Sequence, residues 1–169
     1  MVRTYTMIPG AYRPTRSAAT ESSRAGFTLL EILIVTMLIG TLSAIAIPFY
    51  REALNAARIV KARADIKNIS ATIDVYFLTT GQYPASLAEV DSDRLLDPWG
   101  NPYQYLKIQG MKGKGDVRKD KNLVPINSDY DLYSMGKDGK SVSALTAKAS
   151  LDDIVRANNG AFIGVAANY

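Results

Sequence analysis

The sequence of 169 residues contains no cysteine and no histidine. The absence of cysteine excludes disulfide bonds and thiol nucleophiles, and the absence of histidine excludes the commonest general base. The two absences together exclude the usual ligand sets of zinc sites. The remaining residues contain no evident nucleophile and base pair, carboxylate dyad or phosphate-binding glycine loop. We therefore predict that the chain is not an enzyme, and a membrane-anchored enzyme is the weaker alternative.

Net positive charge is small over most of the chain. The formal net charge is +4, but residues 1–26 hold four arginines and one glutamate, which gives +3 there and leaves +1 for the rest. An excess this small is not the electrostatic footprint of a nucleic-acid-binding protein, so no nucleic acid partner is expected. The four arginines are Arg3, Arg13, Arg16 and Arg24.

The stretch from Phe27 to Tyr50 carries one charged residue, Glu31. As a helix these residues extend for about 36 Å, enough to cross a hydrocarbon core of about 30 Å. We predict a membrane-spanning helix over 27–50, with the arginine-rich N-terminus in the cytoplasm by the positive-inside rule. Ala44-Ile45-Ala46 also fits the cleavage site of a conventional secretory signal, but an acidic residue early in the apolar run argues against that alternative.

Helical periodicity continues beyond the apolar stretch. Residues 51–80 alternate a charged face with an apolar stripe, and Gly81 is a plausible stop. We predict that this amphipathic half packs on a C-terminal domain. Gly40 and Pro48 lie inside the helix, where a proline removes a backbone hydrogen bond. Either the helix is gently kinked there, or this segment unwinds locally when neighbours pack against it.

The C-terminal half combines turns with short strand patterns. Strands are predicted at 103–108 and 130–134, separated by a lysine-rich loop at 109–128 that we expect to be solvated, with a partner-binding surface as the alternative. The fold class is therefore α+β: a long N-terminal helix on a small antiparallel sheet of three or four strands. The predicted organisation is residues 1–26 as a leader, 27–50 in the membrane and 51–169 as the soluble domain, with loop and sheet at 81–169.

The string Gly26-Phe27-Thr28-Leu29-Leu30-Glu31 resembles the processing site of type IV pilins and type II secretion pseudopilins. The resemblance implies a pilin-like fold, cleavage by a prepilin peptidase between Gly26 and Phe27, and N-methylation of Phe27. It also implies that Glu31 is the assembly glutamate, which pairs with the new amino terminus of a neighbouring subunit. Gly40 and Pro48 fall where the helix of this family melts on polymerisation. Met7 is an alternative start that would shorten the leader.

The C-terminal half resembles the major, G-type pseudopilin of type II secretion. The similarity rests on Asp97-Pro98-Trp99-Gly100-Asn101-Pro102-Tyr103 and on the segment from Tyr130 to Gly139. It implies a subunit that polymerises into a periplasmic pseudopilus driving protein secretion. The alternative is a type IV pilin serving adhesion, motility or DNA uptake, although such pilins usually close this region with a disulfide. A monomeric membrane-anchored binding module that uses the basic loop is a further alternative.

The same resemblance implies a calcium ion held by Asp138, Asp152 and Asp153. An apparent insertion at 141–149 separates the two parts of this site, so ordinary turn and cap aspartates are the alternative. Calcium takes six to eight oxygen ligands, and Tyr133 occupies a ligand position in the nearby EF-hand-like spacing, which excludes that loop.

The family implies further partners and a location. Expected partners are other copies of the chain, minor pseudopilins, the inner-membrane assembly platform, the prepilin peptidase and the secretin, together with inner-membrane lipid. The expected location is the bacterial inner membrane, crossed once, with the C-terminal domain in the periplasm and a periplasmic filament after assembly.

Overall fold

The structure is a computed structural model that describes residues 26–113 and 115–169. The predicted leader, apart from Gly26, therefore lies outside the described residues, as do its four arginines and Met7. One helix, α1, spans Leu29–Thr80. Four strands follow it: β1 at Gln104–Lys107, β2 at Tyr130–Ser134, β3 at Ile154–Ala157 and β4 at Phe162–Val165.

The four strands form one antiparallel sheet in the order β1-β2-β3-β4. The α+β prediction is confirmed, and the strand number is four. Strands β1 and β2 occupy the two predicted positions, with Gln104 opposite Tyr133 and Lys107 opposite Tyr130. Strands β3 and β4 lie in residues 142–169, where no individual strand is predicted from the sequence. Every residue of β3 is buried, including Arg156, and β4 contains Gly164, so neither strand shows the alternation of polar and apolar residues that predicts a strand.

The second half of α1 packs on the sheet, as predicted. From Ala62 to Ile73 an apolar residue is buried at about every turn, and these residues share one core with side chains from β2, β3 and the short turn Leu87–Val90. The predicted packing does not fully extend to the earlier turns, where Leu54 and Val60 are exposed. Burial of a large aliphatic side chain stabilises the fold by about 1.5–3 kcal/mol. The central members from the helix are Ala62, Ile66, Ile69 and Ile73, and those from the sheet are Tyr130, Leu132 and Ile154.

The helix ends where the sequence predicts. Gly81 adopts a left-handed φ of +75°, and its N–H donates to the carbonyl of Phe77 at 2.8 Å. A glycine in this conformation closes a helix without a Cβ penalty. The chain divides into two compact units, Met1–Ser43 and Ala44–Tyr169, and the core lies in the second unit.

The segment Asp97–Pro102 is tied to the sheet through one carboxylate. Asp97 Oδ1 accepts the N–H groups of Trp99 and Asn101 at 3.0 and 2.8 Å. Its Oδ2 accepts the hydroxyl of Ser134 at 2.5 Å. Asp97 is buried, so one acidic side chain both shapes the turn and fixes it to the end of β2.

Candidate functional site

The N-terminal turn of α1 is organised by Thr28. Its Oγ1 accepts the backbone N–H of Glu31 at 3.1 Å, and its carbonyl accepts the N–H of Ile32 at 3.2 Å. Thr28 is thus the N-cap, and Glu31 stands three residues later, in the sequence arrangement of a capping box. The sequence reasoning missed this local role, although the spacing Thr-x-x-Glu signals it. The observed cap uses the Thr28 side chain and the backbone N–H of Glu31, which leaves the Glu31 carboxylate outside this hydrogen bond.

The predicted cleavage site lies just before this turn. Gly26 and Phe27 are outside the helix and exposed, Phe27 to 78%. Glu31 is exposed as well, and it lies four residues after Phe27 on the first turn of α1. The predictions of cleavage, N-methylation and intermolecular pairing remain predictions, since they concern a peptidase, a methyl group and a second subunit.

The first half of α1 buries almost nothing. From Gly26 to Tyr50 every residue is exposed except Ser43, which is half-buried. An 18-residue window of this helix has a mean hydropathy of 2.3 and no buried share, so the helix is long and apolar enough to cross a membrane. Such a surface requires lipid or other apolar helices around it.

Gly40 and Pro48 both lie within α1, which continues through them without interruption. A Cβ added at Gly40 would meet no heavy atom within 4 Å. The helix is therefore not interrupted at either residue in the single subunit. Unwinding during assembly concerns a different state and remains a prediction.

Two of the three predicted calcium ligands lie at the turn after β2. Asp152 Oδ2 accepts the backbone N–H groups of Lys137 and Asp138 at 2.8 and 3.0 Å. Asp138 Oδ1 accepts the N–H of Lys140 at 2.8 Å. These are the contacts of aspartates that shape turns.

The third predicted ligand, Asp153, faces a different group. It is fully buried, and its Oδ2 accepts the guanidinium of Arg118 at 2.5 Å and the hydroxyl of Ser141 at 2.6 Å. Burial raises the pKa of Asp153, and the hydrogen bond from Ser141 and the charge of Arg118 act in the opposite direction. The counter-charge of this carboxylate is therefore supplied by the protein itself.

The three aspartates do not fit a common calcium ion. Among residues 26–113 and 115–169, no group of three or more acidic, histidine or cysteine side chains could hold a metal. Asp153 Oδ1 is buried without a hydrogen-bond partner among the described residues, which is the one feature that would suit a cation. An ion there would stand beside the guanidinium of Arg118, which repels it. Calcium binding remains a prediction, and this geometry argues against it.

The lysine-rich loop at 109–128 is only partly solvated. Lys112 and Lys121 are exposed, as expected, but Val117 and Arg118 are buried, and so are Ile126 and Asn127. The expectation of a wholly solvated loop is wrong for these residues. The sequence reasoning missed Arg118 because charged residues are almost never fully buried unless they are paired, and its partner Asp153 is distant in sequence.

A groove between α1 and β4 carries no catalytic arrangement. Its lining contains one ionisable side chain, Arg63, whose Nε donates to the carbonyl of Ile163 at 2.8 Å. General acid–base chemistry requires a proton donor or acceptor near its operating pH, and an arginine is not one.

The sequence is similar to one family of known proteins. A family model described as "Type II secretion system (T2SS), protein G" matches residues 50–119. The chain is similar to type II secretion system core protein G of Pseudomonas aeruginosa, with 33% identity over 138 residues, 69% of this chain and 86% of the relative. The protein of the same name from Escherichia coli K12 is 32% identical over 143 residues, 72% of this chain and 87% of the relative. No solved structure gives a significant match.

A long helix with an uncovered apolar half and an amphipathic half on a small antiparallel sheet defines a pilin-like protein. The chain belongs to the family of type II secretion system core protein G, the major pseudopilins. This family is a structural component of a secretion system, and the apolar N-terminal helix fits a protein that crosses the inner membrane once.

Proposed function

We propose that the chain is cut between Gly26 and Phe27 by a prepilin peptidase, is methylated on Phe27, and then polymerises into a periplasmic pseudopilus. One observation carries the proposal. An exposed carboxylate, Glu31, lies on the first turn of an apolar helix that has no covering, next to the exposed pair at which the cut would fall. Cleavage there would create a cationic amino terminus beside the same turn.

The energetics favour pairing between subunits. An ionised carboxylate within an apolar span costs about 2.5–3.5 kcal/mol at the membrane centre and less near its edge. The described structure gives the Glu31 side chain no ion-pair partner within its own chain, so neutralisation by the amino terminus of a neighbour would recover part of this cost. The uncovered residues 27–50 would then pack against the same segment of other copies.

The proposed orientation follows from charge. The arginines that precede the span would hold the N-terminus in the cytoplasm, and the domain from residue 51 onwards would fold in the periplasm. The minor pseudopilins, the inner-membrane assembly platform and the secretin would be its partners there. The type IV pilin alternative receives less support, because the relatives compared above are named as type II secretion proteins.

The decisive measurement is the mass of the mature chain. Expression of the full sequence with an active prepilin peptidase should give a membrane-bound product that begins at singly methylated Phe27. A strain with an inactive peptidase should give the uncut chain. A product that begins at Ile47, as after conventional signal cleavage, would contradict the proposal.

Gly26→Val provides the matched control. An added Cβ at Gly26 would meet no atom within 4 Å, so the variant should fold as the parent does. Loss of cleavage in this variant would then report recognition by the peptidase.

A second experiment tests the role in secretion. In a strain that lacks its own major pseudopilin, the parent chain should restore release of exoproteins, whereas long surface filaments without such release at native expression would favour the type IV pilin alternative.

A further inference from the structure

Arg118 is a buried cation at the centre of the C-terminal domain. Its side chain is 3% exposed, although it belongs to the lysine-rich loop. The guanidinium donates to Asp153 Oδ2 at 2.5 Å, to the carbonyl of Val142 at 2.7 Å and to the hydroxyl of Ser141. It also lies over the ring of Tyr133, 4.2 Å from the centroid, in a cation–π arrangement.

These contacts join segments that are distant in sequence. Arg118 comes from the loop between β1 and β2, Ser141 and Val142 begin the apparent insertion at 141–149, and Asp153 immediately precedes β3. The backbone N–H of Arg118 adds a hydrogen bond to Asp131 Oδ2 in β2 at 2.7 Å. One residue thus contacts the insertion, strand β2 and the residue that precedes strand β3.

The backbone reinforces the same junction. Lys119 N–H donates to the carbonyl of Ser143 at 2.9 Å, and Leu145 N–H donates to the carbonyl of Lys119 at 2.9 Å. Leu145 is buried in a second small core with Ile126, Val155 and Ala166. The loop at 109–128 and the insertion at 141–149 therefore pack together, and neither is a free excursion.

Charge determines what else can bind here. The guanidinium fills the position next to Asp153 from which a divalent ion would otherwise neutralise this carboxylate, and its fork of N–H groups also satisfies the oxygens of Ser141 and Val142. Asp152, the neighbour of Asp153, is turned to the N–H groups of Lys137 and Asp138 instead.

We propose that Arg118 is an internal structural cation that holds the 141–149 insertion against the sheet, so that this domain folds and stays folded without calcium. The inference concerns stability and is independent of the proposed processing and assembly. It assigns a role to both the lysine-rich loop and the insertion, which the resemblance to the family leaves unexplained.

The first test uses the unchanged full-length chain in detergent. Its melting temperature, followed by near-ultraviolet circular dichroism, should differ by less than about 1 °C between excess calcium and excess chelator, because a ligand that does not bind cannot shift the unfolding equilibrium. A fall on chelation that is reversed by added calcium would overturn the proposal.

The second test removes the cation. Arg118→Met should lower the melting temperature by about 10 °C or more with calcium or with chelator, since loss of one partner leaves a buried charge unpaired. Lys112→Met removes the same charge from an exposed position of the same loop and should melt within about 2 °C of the parent. Equal melting temperatures for the two variants would contradict the inference.

A double-mutant cycle distinguishes loss of the Arg118–Asp153 pair from a general loss of stability. In a double-mutant cycle with Asp153→Asn, the stability lost by the double variant should be clearly smaller than the sum of the losses of the two single variants, because the two residues share one contact. Additive losses would overturn the pairing. If Arg118→Met does not accumulate, Arg118→Lys, which keeps the charge without the fork, enters the same cycle, and the chelation comparison on the unchanged chain still decides the question.

Discussion

Arg156 and Asp129 form a bidentate ion pair, with Nη1 to Oδ1 at 2.9 Å and Nη2 to Oδ2 at 2.5 Å. The side chains are only 4% and 12% exposed, and the guanidinium lies 4.0 Å from the centroid of the Tyr130 ring. The pair connects the residue before β2 to the middle of β3. With the pair of Arg118 and Asp153, it gives this cysteine-free domain two buried ionic links across its sheet.

Breaking this pair should be costly. We expect Arg156→Met to reduce the free energy of unfolding by about 3–5 kcal/mol, because Asp129 is left without its counter-charge in a largely buried site. The matched control is Lys61→Met, which removes an exposed ion pair with Asp65 and should cost less than about 1 kcal/mol. Urea unfolding of the full chain in detergent measures both. Similar losses for the two variants would show that the buried pair contributes no more than a surface pair.

Buried tyrosines predict a loss of stability in alkali. Burial raises the pKa of Tyr130 to about 12, and burial raises the pKa values of Tyr103 and Tyr105 further. An unfolded tyrosine titrates near 10, so the folded chain retains these protons at a pH where the unfolded chain has lost them. The resulting stability is complete below about pH 10 and is lost as the pH rises through the raised pKa values.

Absorbance of tyrosinate in the near ultraviolet checks this expectation. The folded chain should show a delayed step that coincides with unfolding, and Tyr130→Phe should make the delayed step smaller. Ionisation of all tyrosines in one step near pH 10 while the chain remains folded would contradict it.

Gly136 should be the least replaceable glycine at the turn after β2. Its φ is +64°, and a Cβ built there would lie 2.3 Å from the carbonyl oxygen of Asp152. Gly81 has a similar φ of +75° with open space around it, so Gly81→Ala should cost only the backbone strain of about 1 kcal/mol. Gly136→Ala should cost clearly more, about 3 kcal/mol or above, because backbone must also move. Equal thermal destabilisation by Gly81→Ala and Gly136→Ala would mean that backbone strain alone determines the loss of stability.

The sequence predicts the parts of this fold that are periodic or local. The helix, its end at Gly81 and the first two strands follow from spacing and turn residues. Strand β3 does not, because Arg156 interrupts its apolar residues and is buried by pairing with a residue of another segment. The burial of Arg118 could not be predicted from the sequence for the same reason. A buried charge becomes intelligible only when its partner is known, and here each partner lies more than 25 residues away in the chain.

The candidate site shows a related limit. Gly26, Phe27 and Glu31 lie within one string of six residues, so the sequence alone is enough to predict them as a site. The resemblance also suggests three aspartates for calcium, but the side chains are directed to different partners, and the intervening insertion brings Ser141 to Asp153. An insertion changes which groups meet in space, and a match of local sequence does not register that change.

The charge of Glu31 and the helix cap made by Thr28 can be tested separately with neighbouring variants. Glu31→Gln keeps the length of the side chain and an oxygen acceptor but removes the charge. Thr28→Ala keeps the charge but removes the hydrogen bond to the Glu31 N–H, a loss of about 1 kcal/mol for an N-cap. If Glu31 pairs with the amino terminus of a neighbour, Glu31→Gln should leave cleavage intact and reduce the amount of assembled filament by about tenfold or more, because the pair is lost at every subunit contact. Thr28→Ala should then assemble nearly normally.

The yield of sheared or cross-linked filament, compared with the mature mass of each variant, measures this difference. The opposite order, with Thr28→Ala defective and Glu31→Gln normal, would show that assembly depends on the helix cap made by Thr28 and does not depend on the charge of Glu31.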